Sequence, residues 1–369
     1  MPDVAKTDPN FRLEALPYKD IVWYDAMDER FSLHGLYDPR GTGRYIRLPL
    51  SFATDPRINP GVQYRMFSTS GGRIRFTTDS PYVAVTADLP NLEMNPRMAL
   101  TGSAGIDLYE GPAGSAELRF RKNFYPLLHG DPEQPHKLVG HHKFLDRRVE
   151  VREIELYLPL YNYVTSVRIG LAAGASIGAP RKYRHELPMV IYGQSVTMGG
   201  CATRPGNTMQ AFLSRLLDTD FVNLGFSGSC KGEPCLAEYI STLPMSVFVY
   251  DYDGNAPNLA WLERTHEPFY RIVRDAVGPD LPVIMLSGPA NPYLMASSSD
   301  SQARRALIMR NFVAAQERGE NVHFIDGESL YFSPLWDACT VDGIHLNDLG
   351  FMLAAQRIEP ILSRALGRR

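Results

Sequence analysis

Residues 188–200 read PMVIYGQSVTMGG, a nearly continuous apolar run that ends in a glycine and a polar loop. Four similar runs follow in the second half of the chain: DFVNLG (220–225), SVFVYDY (246–252), PVIMLSG (282–288) and NVHFID (321–326). Strands buried on both faces of a parallel sheet have this pattern. Helix-like segments alternate with the runs, near 206–218, 259–277, 300–318 and 347–366. The alternation predicts a doubly wound α/β domain with a parallel sheet.

The first half of the chain has a different pattern, in which turn residues separate short β-rich runs. Several runs alternate apolar and polar residues with a period of two, as a half-buried antiparallel strand does. The runs are RYIRLPL (44–50), VQYRMFS (62–68), GRIRFTTDS (72–80), YVAVTADL (82–89), AGIDLYEG (104–111), AELRFRKNFY (116–125), EVREIELYLPLY (150–161) and VTSVRIGLA (164–172). Many short strands at this spacing predict an all-β, jelly-roll-like sandwich.

The segment GASIGAPRKYRHEL (174–187) separates the two patterns and is rich in Gly, Ala and Pro. A chain of 369 residues is also long enough for two domains. We therefore expect a β-sandwich in residues 1–180 and an α/β domain in residues 181–369.

The composition restricts the classes of partner. A net charge of -3 offers no basic surface for nucleic acid or an anionic membrane. No apolar run reaches the length of about 18–20 residues that spans a bilayer. The first twenty residues lack the basic and apolar regions of a secretory signal, so we expect a cytoplasmic protein.

The four cysteines are Cys201, Cys230, Cys235 and Cys339, and they lack the spacing of a zinc site. We expect reduced thiols, although Cys230 and Cys235 could pair in an oxidising compartment. Neither a metal nor another cofactor is expected.

The loops that follow the apolar runs hold the candidate functional residues, because ligands of open α/β sheets bind at the carboxyl ends of the strands. Ser195 lies between a predicted strand and a helix, which suits an exposed nucleophile. Gly228 can bring a backbone N–H close to a ligand, and the side chain of Asn255 can donate to a developing oxyanion. Each residue alone also fits an ordinary turn or cap.

The segment DGIHLN (342–347) places Asp342 and His345 on one loop near the end of the chain. A serine hydroxyl needs a base to take its proton, and an imidazole does this when a carboxylate orients it. The competing interpretation is that Asn347 caps the last helix while Asp342 and His345 are merely solvated. The order of the candidates at successive strand ends favours the catalytic interpretation.

Other polar and aromatic residues near these loops have competing interpretations. Asp251 and Asp253 could bind sugar hydroxyls, but we expect solvated turn carboxylates. Arg204 is expected to brace the loop after Ser195. Four aromatic residues could either stack on a sugar or pack in the core: Trp261, Tyr293, Tyr331 and Trp336.

Together the loops resemble the SGNH hydrolase superfamily, also called GDSL-like esterases and lipases, which carries Ser, Gly, Asn and His in this order. The matching blocks are YGQSVTMGG (192–200), NLGFSGS (223–229), DYDGNAPN (251–258) and DGIHLND (342–348). The resemblance implies a flavodoxin-like domain in which Ser195 is the nucleophile, His345 the base and Asp342 the residue that orients His345. It also implies an oxyanion hole formed by the backbone N–H groups of Ser195 and Gly228 and by the Asn255 side chain.

Two positions depart from the usual blocks of the superfamily. Gln194 stands where the first block usually has Asp, and Ala256 stands where Asp usually follows the Asn of the third block. Neither departure removes a group that acyl transfer requires.

The run GIDLY (105–109) is similar to the Gly-x-Asp-Leu-Tyr element of a β-sandwich that precedes the SGNH domain in one bacterial subgroup. Such two-domain proteins resemble esterases that remove acetyl groups from plant polysaccharide fragments. The implied function is hydrolysis of short-chain acyl esters, O-acetyl esters above all, on a small molecule or oligosaccharide. A lipase, thioesterase or acyltransferase and an inactive carbohydrate-binding protein remain alternatives, and a homo-oligomer stays open.

Overall fold

The computed structural model describes residues 15–127, 136–146, 150–288, 298–330 and 336–367. Within these ranges the chain forms two antiparallel sheets in its first half and a parallel sheet in its second half. The predicted fold class, an α/β domain that follows an all-β sandwich, is therefore confirmed.

The sandwich consists of ten strands within the described part of the first half. They are β1 (Ile21–Asp25), β2 (Ser32–His34), β3 (Arg73–Thr78), β4 (Tyr82–Leu89), β5 (Ile106–Pro112), β6 (Arg119–Phe124), β7 (His136–Lys143), β8 (Arg152–Tyr157), β9 (Ser166–Ala172) and β10 (Ile177–Gly178). One sheet has the order β1-β9-β4-β7, and the other has the order β10-β3-β8-β5-β6 with β2 beside β3.

The core of the sandwich is formed by alternate residues of strands in the two sheets. Val83 and Val85 of β4 lie in one hydrophobic cluster with Ile154 and Leu156 of β8. Successive side chains of a strand point to opposite faces, so a period of two in the sequence becomes one buried face. This explains why most of these runs could be recognised as strands.

The prediction of a strand is wrong for two of the runs. Short helices occur in the first half, namely α1 (Pro39–Thr42), α2 (Pro60–Arg65) and α3 (Leu100–Ser103). The run VQYRMFS overlaps α2, because the Asn59 side chain accepts the N–H groups of Gly61 and Val62 and Pro60 begins the helix. The run RYIRLPL contains no strand. Its Arg47 is buried and donates to backbone carbonyls, among them those of Asn223 and Gly225.

The second half contains five described parallel strands and the helices that cover them. The strands are β11 (His185–Gly193), β12 (Thr219–Gly225), β13 (Val247–Asp251), β14 (Val283–Leu286) and β15 (Val322–Ile325). The helices are α4 (Ser195–Met198), α5 (Met209–Leu217), α6 (Pro234–Ser241), α7 (Leu259–Val277), α8 (Ser298–Glu317) and α9 (Asp348–Ala365). The strand order β12-β11-β13-β14-β15 is that of flavodoxin-like folds.

Helices cover the parallel sheet on both faces. Val190 and Tyr192 of β11 pack in a cluster with residues of α6, α7 and α8, while Met189 and Ile191 pack in a second cluster with residues of α5 and α9. Because both faces are buried, every position of the strand favours an apolar residue. The sequence pattern did not predict α6, which is only eight residues long.

The sandwich supports the segment that follows Ser195. Asp107 of the GIDLY run is fully buried and accepts the backbone N–H of Gly206 at 2.8 Å. Arg204 donates to Tyr109 Oη at 2.9 Å and lies 3.3 Å from Asp107 Oδ2. Arg204 therefore attaches the loop after Ser195 to the sandwich, as a bracing residue would.

Candidate active site

Ser195 begins α4 one residue after the end of β11, a strand that lies between β12 and β13 in the sheet. The turn needs glycine at position 193, since a Cβ there would lie 2.2 Å from Thr197 Oγ1 and 2.8 Å from the Asp251 carbonyl oxygen. This close approach of strand and helix places Ser195 at the carboxyl end of the sheet, where open α/β folds bind ligands.

A continuous chain of hydrogen bonds links Ser195, His345 and Asp342. Ser195 Oγ lies 3.0 Å from His345 Nε2, and His345 Nδ1 lies 2.8 Å from Asp342 Oδ2. Asp342 Oδ1 accepts the backbone N–H groups of His345 at 2.8 Å and of Ile344 at 3.1 Å. This arrangement can hold the imidazole with a proton on Nδ1 and leave Nε2 to accept the serine proton.

The Asp342 carboxylate is held in its ionised form. Burial alone would raise the pKa of Asp342, but hydrogen bonds from the His345 backbone and ring and from Arg97 lower it well below its usual range. An ionised carboxylate at this position can stabilise an imidazolium at His345.

The competing interpretation of this loop is correct only for Asn347. The Asn347 side chain accepts the Gly350 N–H at 3.1 Å and so caps α9. The side chains of Asp342 and His345 are only 19% and 16% exposed, and both are hydrogen bonded. They are therefore not merely solvated.

The residues expected to form an oxyanion hole lie in the same cleft as Ser195 and His345. Gly228 has a φ of 70°, and a Cβ there would contact nothing within 4 Å, so the backbone conformation is what favours glycine. Asn255 Oδ1 accepts the Cys230 N–H at 3.3 Å, an orientation that leaves the amide N–H groups of Asn255 for another acceptor. The roles of these residues stay a prediction.

The cleft has a volume of about 480 Å³ and includes residues that sequence reasoning missed. The missed residues are Arg97, Gln194, Val196, Ser227, Gly254, Gly288, Asp300, Ser301, Arg304 and Ile344. Arg97 comes from the sandwich and carried no signal, because 245 positions separate it from Asp342. Gly288 could have been predicted to lie at the site, since it closes the run that contains β14 and so lies at the carboxyl end of a strand.

The expectation of solvated carboxylates at positions 251 and 253 is wrong. Asp251 and Asp253 are 1% and 6% exposed. Asp251 accepts the Thr197 hydroxyl, and Asp253 Oδ2 accepts the Gly288 N–H at 2.6 Å. Burial and then the charge of Asp253 raise the pKa of Asp251 to about 7, and burial likewise raises the pKa of Asp253. Both carboxyl groups connect the strand ends beneath the cleft.

The remaining candidates take up packing positions or lie outside the described residues. The Trp261 indole N–H donates to the Lys231 carbonyl at 2.9 Å. Tyr293, Tyr331 and the side chain of Trp336 lie outside the described residues. The four cysteines are buried and are free thiols in this structure.

In the part of the chain that the structure describes, no helix has the length and apolar character to cross a membrane. Within the same residues, His, Cys, Asp and Glu side chains do not form a group of three or more that could hold a metal ion.

Two family models match the chain. Residues 186–363 match the GDSL-like Lipase/Acylhydrolase family, and residues 21–177 match the model described as the N-terminus of Esterase_SGNH_hydro-type. A comparison with curated proteins returned no match.

Several solved structures resemble the whole chain. A protein of Bacteroides ovatus designated a GDSL-like lipase is 25% identical, with a TM-score of 0.80 over 95% of this chain and 99% of that chain. A salicylyl-acyltransferase from a tetracycline biosynthetic pathway is 21% identical, with a TM-score of 0.68 over 95% and 100%. A family two carbohydrate esterase from Cellvibrio japonicus is 12% identical, with a TM-score of 0.57 over 94% and 98%. The last two likenesses concern the fold.

Both halves of the chain thus match parts of one kind of protein, and the four sequence blocks lie around one cleft. The chain belongs to the SGNH (GDSL-like) hydrolase superfamily, with a GxDLY-type β-sandwich in front of its hydrolase domain.

Proposed function

We propose that the protein is a serine esterase that hydrolyses short-chain acyl esters, chiefly O-acetyl groups on carbohydrates. The observation that carries the proposal is the chain of hydrogen bonds from Ser195 Oγ to His345, 3.0 Å long, and from His345 to Asp342, 2.8 Å long. In this proposal residues 1–180 form an accessory sandwich and residues 181–369 form the catalytic domain. No cofactor takes part.

The first half of the reaction forms an acyl-enzyme. His345 Nε2 accepts the Ser195 proton as Ser195 Oγ bonds to the ester carbonyl carbon, and the carbonyl oxygen becomes an oxyanion. The backbone N–H groups of Ser195 and Gly228 and the Asn255 amide donate to that oxyanion. The bond from the carbonyl carbon to the alcohol oxygen then breaks, and the alcohol leaves with the proton from His345.

The second half of the reaction releases the acid. His345 takes a proton from a water molecule, whose oxygen bonds to the acyl carbon and forms a second oxyanion at the same donors. The bond to Ser195 Oγ breaks, and the serine recovers its proton from His345. The products are a carboxylic acid and the free enzyme.

The lining of the cleft supports a polar alcohol and a small acyl group. The residues that line it include Gln194, Ser227, Ser301 and Arg304, all of which have polar side chains. Such groups suit the hydroxyls of a sugar better than a long hydrocarbon chain. The fold shared with the Cellvibrio japonicus carbohydrate esterase is consistent with this substrate class.

Acyl transfer to an alcohol is a second candidate function. The salicylyl-acyltransferase aligns with 95% of this chain, including the sandwich, and the same acyl-enzyme would serve both reactions. Product analysis separates them. If added alcohol diverts most of the product from free acid to a new ester, the protein is an acyltransferase.

Ester hydrolysis by the wild type and by Ser195→Ala tests the proposal. We expect the wild type to cleave p-nitrophenyl acetate and to release acetate from acetylated oligosaccharides, with activity falling beyond about four acyl carbons. Ser195→Ala should lose at least about 10³-fold in kcat/KM, because the members of a triad act as a unit. A fluorophosphonate should label the wild type but not this variant.

Ser229→Ala is the matched control. Ser229 lies on the Gly228 loop, where its hydroxyl donates to the Ser227 carbonyl at 3.2 Å, but it does not line the cleft. This variant should keep the wild-type rate and the label. The proposed mechanism is wrong if Ser195→Ala cleaves p-nitrophenyl acetate as fast as the wild type.

A further inference from the structure

One loop of the sandwich, residues 90–99, extends to the cleft that contains Ser195. The backbone N–H of Glu93 donates to Asn162 Oδ1 at 2.7 Å, and both carboxylate oxygens of Glu93 accept from Arg65 at 2.7 Å. Asn95 Oδ1 accepts the Arg97 backbone N–H at 3.0 Å. These bonds fix the loop, so the base of the Arg97 side chain has a defined position.

Arg97 reaches from this loop to the carboxylate that orients His345. Arg97 Nη1 donates at 2.6 Å to Asp342 Oδ2, the oxygen that also contacts His345 Nδ1. Among the described residues, the donors to Asp342 Oδ1 are the backbone N–H groups of Ile344 and His345. Within the described ranges, Arg97 is the only Lys or Arg side chain on Asp342, and Asp342 is the only side chain paired with Arg97.

Building on the proposed function, we propose that Arg97 is a positioning residue of the catalytic site that the β-sandwich supplies. It fixes the orientation of the Asp342 carboxylate and takes up part of the charge on Oδ2. Through Asp342 it sets the orientation of the His345 ring and the affinity of that ring for a proton. The hydrolase domain provides backbone N–H donors for Oδ1 of Asp342, and the sandwich provides the Arg97 guanidinium as a donor for Oδ2.

The exposure of this ion pair indicates that its effect is on catalysis rather than on stability. The Arg97 side chain is 51% exposed, and exposed ion pairs contribute little to the free energy of folding. The charge nevertheless lies one side chain away from the imidazole. A cation there disfavours a neighbouring imidazolium and weakens the hydrogen bond that Asp342 accepts from it, so removing the cation should favour the protonated ring.

Other charged and titratable groups around His345 are ion-paired, hydrogen bonded to neutral groups, or neutral themselves. They are Asp342 on its own loop, Arg97 from the sandwich, Cys201 after α4, Tyr161 of the sandwich, Asp348 at the start of α9, and Asp253, Asp300 and Arg304 across the cleft. Burial raises the pKa of Cys201 to about 11 and of Tyr161 to about 12, so both are neutral at pH 7. Arg304 pairs with Asp300 at 2.7 Å.

The test compares Arg97→Met and Arg97→Lys with the control Arg30→Met. Arg30 is a sandwich arginine of similar exposure, 48%, that pairs with Asp28. We expect the acid limb of kcat/KM in Arg97→Met to move to higher pH by about 0.3–1 unit, because a nearby cation has been removed. The change in plateau rate should appear in kcat rather than in KM. Arg97→Lys should restore most of the acid limb, and Arg30→Met should match the wild type.

A second measurement separates this proposal from the esterase proposal. The pH midpoint of the His345 imidazole signal in NMR spectra of the full-length protein needs no turnover, and it should rise by the same amount in Arg97→Met. Loss of activity at every pH by one factor, with both midpoints unchanged, would show a merely structural role and overturn the inference. A rise in KM with kcat unchanged would overturn it too, since Arg97 would then bind substrate.

Discussion

Nε2 of the Gln194 side chain, at the residue just before Ser195, lies 3.4 Å from Asp251 Oδ1. The same nitrogen lies 3.5 Å from Asp253 Oδ1. The chain therefore places a neutral amide donor between two buried carboxyl groups. The superfamily usually has Asp at this position, and a third carboxylate here would face two others. A neutral Gln194 side chain is thus compatible with the two carboxyl groups at the end of β13 and in the loop that follows it.

Gln194→Asp should destabilise the protein in a way that depends on pH. Placing a carboxylate beside Asp251 and Asp253 should cost about 1–3 kcal/mol at pH 8, since like charges in a buried site repel. The cost should be smaller at pH 5, where the cluster holds more protons. Urea denaturation at both pH values measures the effect. The neutral control is Gln194→Asn, whose side chain has the same length as that of Gln194→Asp. An equal loss of stability in both variants would contradict the electrostatic explanation.

Asp251 should make the stability of the protein fall as the pH rises. Burial, followed by the charge of Asp253, raises its pKa to about 7 in the folded protein, well above the value for an exposed aspartate. Between about pH 4 and 7 the native state therefore holds a proton that the unfolded chain has lost. The free energy of unfolding should decrease across this window by up to about 1.4 kcal/mol per pH unit, and then level off.

Asp251→Asn tests this linkage because it keeps an acceptor for Thr197 and removes the titration. Its free energy of unfolding should depend less on pH between 4 and 7 than that of the wild type. Asp280→Asn, at an exposed position, is the control and should keep the wild-type slope. Parallel slopes for the wild type and Asp251→Asn would show that Asp251 titrates normally.

Most of the fold could be predicted from the sequence, because burial on one or two faces leaves a period that the residues display. The continuous run before Ser195 and the alternation in YVAVTADL are examples. Prediction failed where a local cap or a distant partner decided the structure. Asn59 and Pro60 turned an apparent strand into helix α2, and Arg47 occupies a buried position whose carbonyl partners lie far along the chain.

The candidate site could be predicted to the extent that its residues follow strand ends in a fixed order. Ser195 and His345 were found in this way, and the structure brings them within hydrogen-bond distance. The sequence could not show that Asp251 is buried, because the side chains that hydrogen bond to its carboxyl group, Thr197 and Gln194, lie far away along the chain. Nor could it reveal Arg97, whose position depends on how the sandwich packs on the hydrolase domain.

Asn255→Ala should lower kcat/KM by about 10²–10³-fold, which is the usual effect of removing one preorganised oxyanion donor. Labelling by a fluorophosphonate should slow as well, because it forms a similar charge. Asn258→Ala is a matched control three residues away, whose side chain caps α7 by accepting the Trp261 N–H at 2.8 Å. It should lose about 1 kcal/mol of stability with little change in rate. Equal rates for Asn255→Ala and the wild type would exclude Asn255 from the oxyanion hole.

Asp107→Ala should show that the GIDLY run holds the two halves of the molecule together. Asp107 is fully buried, and its carboxylate accepts the Gly206 N–H and the Asn123 side chain, each at 2.8 Å, beside Arg204. Removing it leaves these donors without their acceptor, so the free energy of unfolding should fall by about 3–5 kcal/mol.

The exposed control for Asp107 is Glu117→Ala, which should change stability by less than about 0.5 kcal/mol. Asp107→Asn retains an acceptor for Gly206 and should lose less than Asp107→Ala. Urea denaturation followed both by far-UV circular dichroism and by esterase activity distinguishes two outcomes. If Asp107 attaches the loop after Ser195, activity should be lost at a lower urea concentration than secondary structure in Asp107→Ala. Coincident transitions at the wild-type midpoint would show that this contact is dispensable.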